Sequence, residues 1–369
     1  MKGKVCHALF WLGAPMSSGI CFHSTRFPCP TLDNPVYVTQ AQSIMEQSAT
    51  TVSPTSTPRP TTVLATTQNA AIYRSGAAEE ERTALPGGRE ILRLVAYGDT
   101  GYANDELRTT AGMVKRKFGN TIDAALLLGD NFYPRGIDQR LGVHDPQFKQ
   151  VFQDIIAQDT EYPFFVLLGN HDHMGDTSAQ LAFHSIDSRW NMPNYYYMQR
   201  FTMAGVDACV WFLDTDSKKS TGHFRFSREQ AEWLDQSLTR ERGSCRWLII
   251  SAHHPIFTVG EYRDDAHLKE NLLPILMKHG VHLYLSGHEH QSQVMRGPDG
   301  GSTTFIVAGA NSEQRPPYET KPGHPMFVWS EPKHLAFLIL DIIADRIVYS
   351  FHRSTGGRDA RPIYTGEIA

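Results

Sequence analysis

AALLLGDNFY, residues 124–133, decides how this chain is read. Five apolar residues of strand character stop at Gly129, and Asp130 and Tyr133 follow at once. Glycine lets the backbone bend sharply and approach a ligand closely, while a carboxylate and a phenol offer two oxygen donors. The same grammar recurs four times on either side. LRLVAY (92–97) leads to Gly98-Asp99-Thr100-Gly101, and PFFVLL (163–168) leads to Gly169-Asn170-His171-Asp172. RWLII (246–250) leads to Ser251-Ala252-His253-His254, and VHLYLS (281–286) leads to Gly287-His288-Glu289-His290. A lone Gly-Asp after a strand is a common turn, and a lone His-x-His is more often surface polarity than a metal site. Five strand ends in series, each closing on a metal-competent residue, are not explained that way. In open α/β sheets the carboxyl ends of strands are where ligands bind.

Between these blocks, helix-length amphipathic stretches lie near 105–118, 146–156, 227–241 and 267–278. Further strand candidates are NYYYMQRF (194–201), DACVWFLD (207–214), TTFIVAG (303–309) and HLAFLILDI (334–342). Strands alternating with helices imply an α/β core, and the antiparallel-looking additions make its sheets mixed. No repeat of fixed period is present.

The rest of the chain is bounded by composition. Of 369 residues, 41% are hydrophobic and 20% charged, which describes a soluble globular chain. A net charge of −4 gives no nucleic-acid footprint. Residues 1–30 begin with Lys2 and Lys4, run through an apolar stretch Val5–Met16, and contain no acid. They read as a signal or targeting segment, with an organellar transit peptide as the alternative; they are too short and interrupted for a membrane span. Residues 31–88, including TVSPTSTPRPTT, cannot bury enough apolar surface to offset their ordering entropy and read as a linker. The folded domain is expected over 89–360. Cys209 and Cys245 each precede or begin a strand-like run; they pair if those strands are neighbours, although isolated buried thiols are the commoner outcome.

The donor inventory is Asp99, Asp130, Tyr133, Asn170, His253, His288 and His290. Seven donors are too many for one ion with an open position and suit two ions sharing one carboxylate. Hard oxygen donors including a phenolate favour iron(III) in one site, and the amide and imidazoles favour a divalent ion in the other.

These five blocks resemble the five-motif signature of the calcineurin-like metallophosphoesterases, and more narrowly the purple acid phosphatases. The narrowing rests on a paired substitution. Most metallophosphoesterases read D-x-H in the first block; here that histidine position is Gly101, and Tyr133 stands in as the ligand. SAQLAFHSIDSRWNMPNYYY (178–197) is also similar to the small, mammalian-like members. The resemblance implies a four-layer α/β/β/α sandwich. It places Asp99, Tyr133 and His290 on the ferric ion, Asn170, His253 and His288 on the divalent ion (iron, zinc or manganese), and Asp130 between them. It implies a metal-bound hydroxide as nucleophile, with His171 as the outer-sphere residue that orients phosphate and protonates the leaving group. The expected substrates are small phosphomonoesters, extending to phosphoproteins, and the expected compartment is secreted or endomembrane and vacuolar. A narrower nucleotide or phosphodiester specificity, or a low-activity scaffold subunit on the same fold, are the alternatives; such scaffolds usually lose ligands.

Two departures from the family pattern stand out. Small members carry a second outer-sphere histidine nine residues after the position of His253, where this chain has Tyr262, so His254 or His267 would have to substitute. The loop DTDSKKSTGHFRF (214–226) is shorter than the site-shielding loop of mammalian-like members, so its cleavage is expected to activate little. Among other residues, Asp172 either steadies a ligand or serves a turn, Glu289 is expected to point outward, and Arg135 is expected to be solvated rather than to meet phosphate. The segment 311–331 reads as a loop walling the cleft or covering the surface. Trp211, Trp233 and Trp247 read as core or helix-packing residues.

Overall fold

The computed structural model describes residues 90–203, 205–216, 226–314, 323–355 and 361–369. The leader over 1–30, the linker over 31–88 and most of the 214–226 loop lie outside these residues.

Fourteen strands form two seven-stranded sheets among the described residues. The first has the order β14 (Tyr364–Ile368), β13 (Ile347–Arg353), β12 (Ala336–Ile342), β1 (Leu92–Tyr97), β2 (Ala124–Leu128), β3 (Phe164–Leu167), β4 (Trp190–Asn191). The second runs β11 (Phe327–Glu331), β9 (Ser292–Arg296), β10 (Thr304–Ala308), β8 (Leu283–Ser286), β7 (Trp247–Ser251), β6 (Val206–Phe212), β5 (Tyr197–Met203). β1, β2, β3 and β4 are mutually parallel, as are β6, β7, β8 and β10, while β12 and β5 add antiparallel neighbours. Strands such as AALLL are buried at every position, as expected of parallel strands covered on both faces.

Side-chain alternation along the second sheet explains the layering. Val210 and Phe212 of β6, Ile249 of β7, Leu285 of β8 and Ile306 of β10 join the core of β1–β3 and β12. The alternate residues Trp211, Ile250, Tyr284 and Phe305 pack instead with Leu234 and Leu238 of α3 (Arg228–Glu241), Leu268 of α4 (Ala266–Asn271) and Leu276 of α5 (Leu273–His279). On the far face of the first sheet lie Leu107 and Val114 of α1 (Asp105–Lys117) and Val151 and Phe152 of the helix Phe148–Ile156. The order is therefore helix, sheet, sheet, helix. Each long helix starts where the sequence supplies a cap: Asn104 Oδ1 accepts from Leu107 N at 2.9 Å, and Ser227 Oγ accepts from Gln230 N at 3.2 Å.

Three features differ from the sequence reading. The 311–331 segment is not all loop, because Phe327–Glu331 pairs antiparallel with β9, itself a strand that its polar residues had concealed. The first sheet continues past residue 360, since Tyr364–Ile368 pairs with β13. Cys209 and Cys245 are not isolated thiols: they form a disulfide, with Cα atoms 5.9 Å apart. The pairing of Ala208 with Trp247 and Cys209 with Leu248 brings the start of β7 beside β6, which is what a bridge requires. Trp211 and Trp247 are core residues whose indole N–H groups reach Ser237 Oγ and Ile343 O, each at 2.8 Å.

Candidate dinuclear metal centre

The carboxyl ends of β1, β2 and β3 meet those of β7 and β8 along one rim, where the two sheets are stitched together by Gly98 N donating to Ala308 O at 2.9 Å. At this rim three non-glycine residues adopt left-handed backbone: Asp99 (φ 57°), Asp130 (φ 52°) and His288 (φ 67°). That conformation costs an L-residue roughly 1–2 kcal/mol, so three instances on adjacent turns mark stored strain at a functional site. Hydrogen bonds across the rim hold it. Asp99 N donates to Gly129 O (3.1 Å), His288 N to Asp99 Oδ2 (2.8 Å), and His171 N to Asp130 Oδ1 (2.8 Å).

All seven expected donors converge here, in two groups. Tyr133 Oη lies 3.1 Å from each of Asp99 Oδ1, Asp130 Oδ2 and His290 Nε2. His253 Nε2 lies 3.2 Å from Asn170 Oδ1, 3.3 Å from His288 Nδ1 and 3.5 Å from Asp130 Oδ2. Asp130 Oδ2 is the atom common to both groups.

The structure also gives the steric reason for the Gly101–Tyr133 exchange. A Cβ at Gly101 would lie 2.5 Å from Tyr133 N and 2.6 Å from Tyr133 Cδ2. In this chain the tyrosine occupies the space that a side chain at 101 would take.

The donor chemistry fits a pair of cations. His253 Nδ1 is 2.8 Å from Leu128 O, which fixes that nitrogen as the N–H and leaves Nε2 as the lone-pair edge. Two imidazole nitrogens, two carboxylates and an amide oxygen thus turn acceptor atoms on one another, an arrangement that needs protons or metal ions between them. In the metal-free chain the protons answer this. Burial, together with neighbouring Asp130, raises the Asp99 carboxyl to about 8, against an opposing pull from His253. Burial lowers His253 but is outweighed by Asp130 and Asp99, leaving it raised to about 9. Burial and the two aspartates push the Tyr133 phenol well above its usual value, so a strongly charged ion is required to bind it as phenolate.

Outer contacts orient these donors, as metal ligands generally require. Glu313 Oε2 is 3.1 Å from His290 Nδ1, and Ser312 Oγ donates to Asp99 O at 2.5 Å, so the start of the 311–331 segment packs against two of the donors. Asp172 is fully buried; its carboxylate accepts from Asn131 N (3.1 Å), Gly169 N (2.9 Å) and Gln180 Nε2 (2.9 Å), clamping the Asp130 and Asn170 turns together. That makes it a positioning residue as well as a turn residue. His171 sits at the rim with Nδ1 2.7 Å from Pro134 O and its ring edge-on to Tyr133 at 4.7 Å. Glu313, Leu128 O and Pro134 O escaped the sequence reading; only Glu313 left a trace, by falling in a segment already suspected as a wall.

Other expectations change. Glu289 does not point outward: it is 1% exposed, and its carboxylate accepts from Thr258 Oγ1, Glu261 N and Tyr262 N. His254 and His267, the two candidate substitutes, sit in different surroundings, and His254 lies with His253 and His288 in a buried group that could hold a metal ion. His254 is buried, bonded through Nδ1 to Thr215 Oγ1 at 2.7 Å, and held well below the usual histidine value by burial and then by His288 and His253. His267 is engaged by Phe226 O at 3.0 Å and by Asn271. Tyr262 itself occupies the position, its ring stacked on that of His288 at 4.4 Å and 24°. Arg135 is exposed, as expected of a solvated residue.

The calcineurin-like phosphoesterase profile matches residues 92–292, more than half of the chain and all five blocks. Tartrate-resistant acid phosphatase type 5 of Oryctolagus cuniculus is 30% identical over 253 residues, covering 62% of this chain and 76% of that protein. The chain belongs to the calcineurin-like phosphoesterases, among the purple acid phosphatases. Purple acid phosphatase 17 of Arabidopsis thaliana is 31% identical over 241 residues, covering 60% of this chain and 69% of its own. Among solved structures, GAP50, the anchor in the inner membrane complex of Plasmodium, superposes with a TM-score of 0.64 at 24% identity, over 75% of this chain and 88% of that one. At that identity the likeness speaks to the fold, which purple acid phosphatases and an anchor protein therefore share. No helix among the described residues is long and apolar enough to cross a membrane.

Proposed function

We propose that this purple acid phosphatase hydrolyses phosphate monoesters at mildly acidic pH on an iron(III)–divalent metal pair. The observation that carries the reading is the position of Asp130 Oδ2, 3.1 Å from Tyr133 Oη and 3.5 Å from His253 Nε2, where one carboxylate oxygen serves an oxygen-rich and a nitrogen-rich donor group. Asp99, Tyr133 and His290 would hold the ferric ion; Asn170, His253 and His288 would hold iron(II), zinc or manganese. Bound together, such ions supply a water of lowered pKa and Lewis acidity towards phosphoryl oxygens.

The chain's own contribution follows from its contacts. Strained turns at Asp99, Asp130 and His288 aim donors at one place before any ligand arrives, so little reorganisation accompanies turnover. His171, half-buried at the rim, donates its Nδ1–H to Pro134 O, which leaves Nε2 on the opposite edge of the ring; in the imidazolium form Nε2–H would hydrogen-bond phosphate and protonate the departing alkoxide. Tyr262, a phenol where small relatives carry histidine, presents its ring to His288 at this rim.

The substrates we infer are small phosphomonoesters, with phosphoproteins as larger members of the same class. The anchor role of GAP50 favours a second reading, a scaffold on this fold; the complete set of seven converging donors supports the enzyme. Residence in an oxidising secretory or vacuolar compartment is supported by the disulfide Cys209–Cys245. Turnover of p-nitrophenyl phosphate across pH, combined with elemental analysis and a visible absorbance scan, tests the proposal. A coloured, active protein with two ions per chain is expected. A folded, colourless, inactive protein, or one holding a single zinc, would overturn it.

A further inference from the structure

Glu289 lies between two donors, His288 and His290, yet its carboxylate faces away from both and into the protein. Three donors from a single five-residue strap converge on it: Thr258 Oγ1 at 2.5 Å and Tyr262 N at 3.0 Å on Oε1, and Glu261 N at 2.9 Å on Oε2. The strap is folded around this carboxylate. Gly260 N bonds back to Thr258 Oγ1 at 2.9 Å, and a side chain at Gly260 would collide with Glu289 Oε2. A buried carboxylate is costly unless its lone pairs are filled, and a filled one adds little net stability compared with an apolar residue of the same size. What it does supply is order: with Gln293 Oε1, which accepts from Val259 N at 3.0 Å, and Asp264 Oδ1, which accepts from Thr258 N at 3.1 Å, it sets the path of residues 258–262. The strap ends at Tyr262, whose ring lies on the ring of His288.

We propose that Glu289 is a positioning residue for the divalent site, fixing the 258–262 strap so that Tyr262 locks the ring of His288 with Nδ1 towards His253 Nε2. The proposal rests on the metal-centre reading above. Rotating an imidazole by about 30° about its Cβ–Cγ bond moves Nδ1 by about 0.6 Å, which reaches the roughly 0.5 Å tolerance of a preorganised site. The Glu289 carboxylate bonds to the strap and would act through it. The group built from Asp99, Tyr133 and His290 gathers around Tyr133 Oη, 3.1 Å from each of the other two, and is expected to stay intact.

The test uses Glu289→Gln, Glu289→Asp, Tyr262→Ala and Tyr262→Phe in the full chain. In metal-free protein, amide hydrogen exchange at Glu261 and Tyr262 is expected to quicken about tenfold or more in Glu289→Gln, where an NH2 group faces backbone N–H donors. In protein loaded with iron and zinc, zinc affinity should weaken about 10–100-fold in Glu289→Gln and Tyr262→Ala, as for other outer partners of metal ligands. Iron content and the visible band should stay as in the parent. Glu289→Asp should recover part of the affinity, and Tyr262→Phe most of it. Faster exchange with unchanged zinc affinity would overturn the proposal, as would loss of both ions together in Tyr262→Ala. Should Glu289→Gln fail to fold, Tyr262→Ala, altered only at the half-buried end of the strap, decides alone. A parent protein that takes up no second ion would refute the metal-centre reading and this proposal with it, whereas the exchange experiment separately reports whether Glu289 holds the strap.

Discussion

Tyr133→Phe removes one oxygen atom from the centre and nothing else. The ring keeps its stacking on Tyr102 at 4.5 Å and its edge contact with His171 at 4.7 Å, so packing is preserved. In the metal-free chain the lost hydroxyl is the donor to Asp99 Oδ1 and Asp130 Oδ2. A hydrogen bond to a charged group contributes about 2 kcal/mol, which for a domain of this size lowers Tm by about 4–8 °C. The effect on function is far larger than that on stability. Without the phenolate, the ferric group falls to Asp99, His290 and the shared Asp130, so iron content should drop and the visible band should vanish with activity. Elemental analysis, an absorbance scan and turnover measured on one preparation read all three. Gly101→Ala is the companion: the added Cβ, 2.5 Å from Tyr133 N, forces the tyrosine aside at a cost of about 1–3 kcal/mol, and should remove the band although the hydroxyl is still encoded. A Tyr133→Phe protein that keeps its colour, particularly if Tyr102→Phe then loses it, would refute the ligand assignment.

Three further outcomes follow from the contacts described. His171→Ala should leave both ions bound while turnover falls by roughly 10²–10⁴, the usual effect of losing an acid–base group; full activity would remove His171 from the reaction. His352 is buried against Phe337 and accepts from Lys117 Nζ at 3.0 Å, and burial, then Lys117 and Arg93, hold it at about 4. Between about 6.5 and 4 the unfolded chain therefore binds a proton that the folded chain refuses, so this group's stabilising effect is full above about 6.5 and is lost as pH falls towards 4, by at most about 2 kcal/mol once solvent near Lys117 is allowed for. Urea midpoints of His352→Gln should fall less steeply over that range, and an unchanged slope would refute the assignment. Reducing the Cys209–Cys245 bridge, which spans a sequence separation of 36, should cost about 4 kcal/mol by release of loop-closure entropy, read as a lower urea midpoint under reductant; no change would mean that the unfolded chain is already constrained there.

The five strand-end blocks could be read without coordinates because their information is local. An apolar run sets a strand, a glycine sets the turn, and the next residue is delivered to the rim; parallel strands then have no choice but to bring those residues to the same edge. For that reason the seven named residues reach one rim, and the α/β class and most strand positions agree between sequence and structure; the four-layer order comes from the family resemblance, not from local residues. Tertiary structure decided whatever depends on a partner distant in sequence. Glu289 reads as an outward residue between two ligands until the Thr258–Tyr262 strap is seen to wrap it. Glu313 carries no local sign that it faces His290, and Cys245 none that it will meet Cys209. Strands β9 and β11 are too polar or too short to stand out alone and form because β9 pairs with β10 on one side and with β11 on the other. The direction a polar side chain takes in a turn is set by which backbone donors the rest of the fold brings to it, and local sequence holds no record of those.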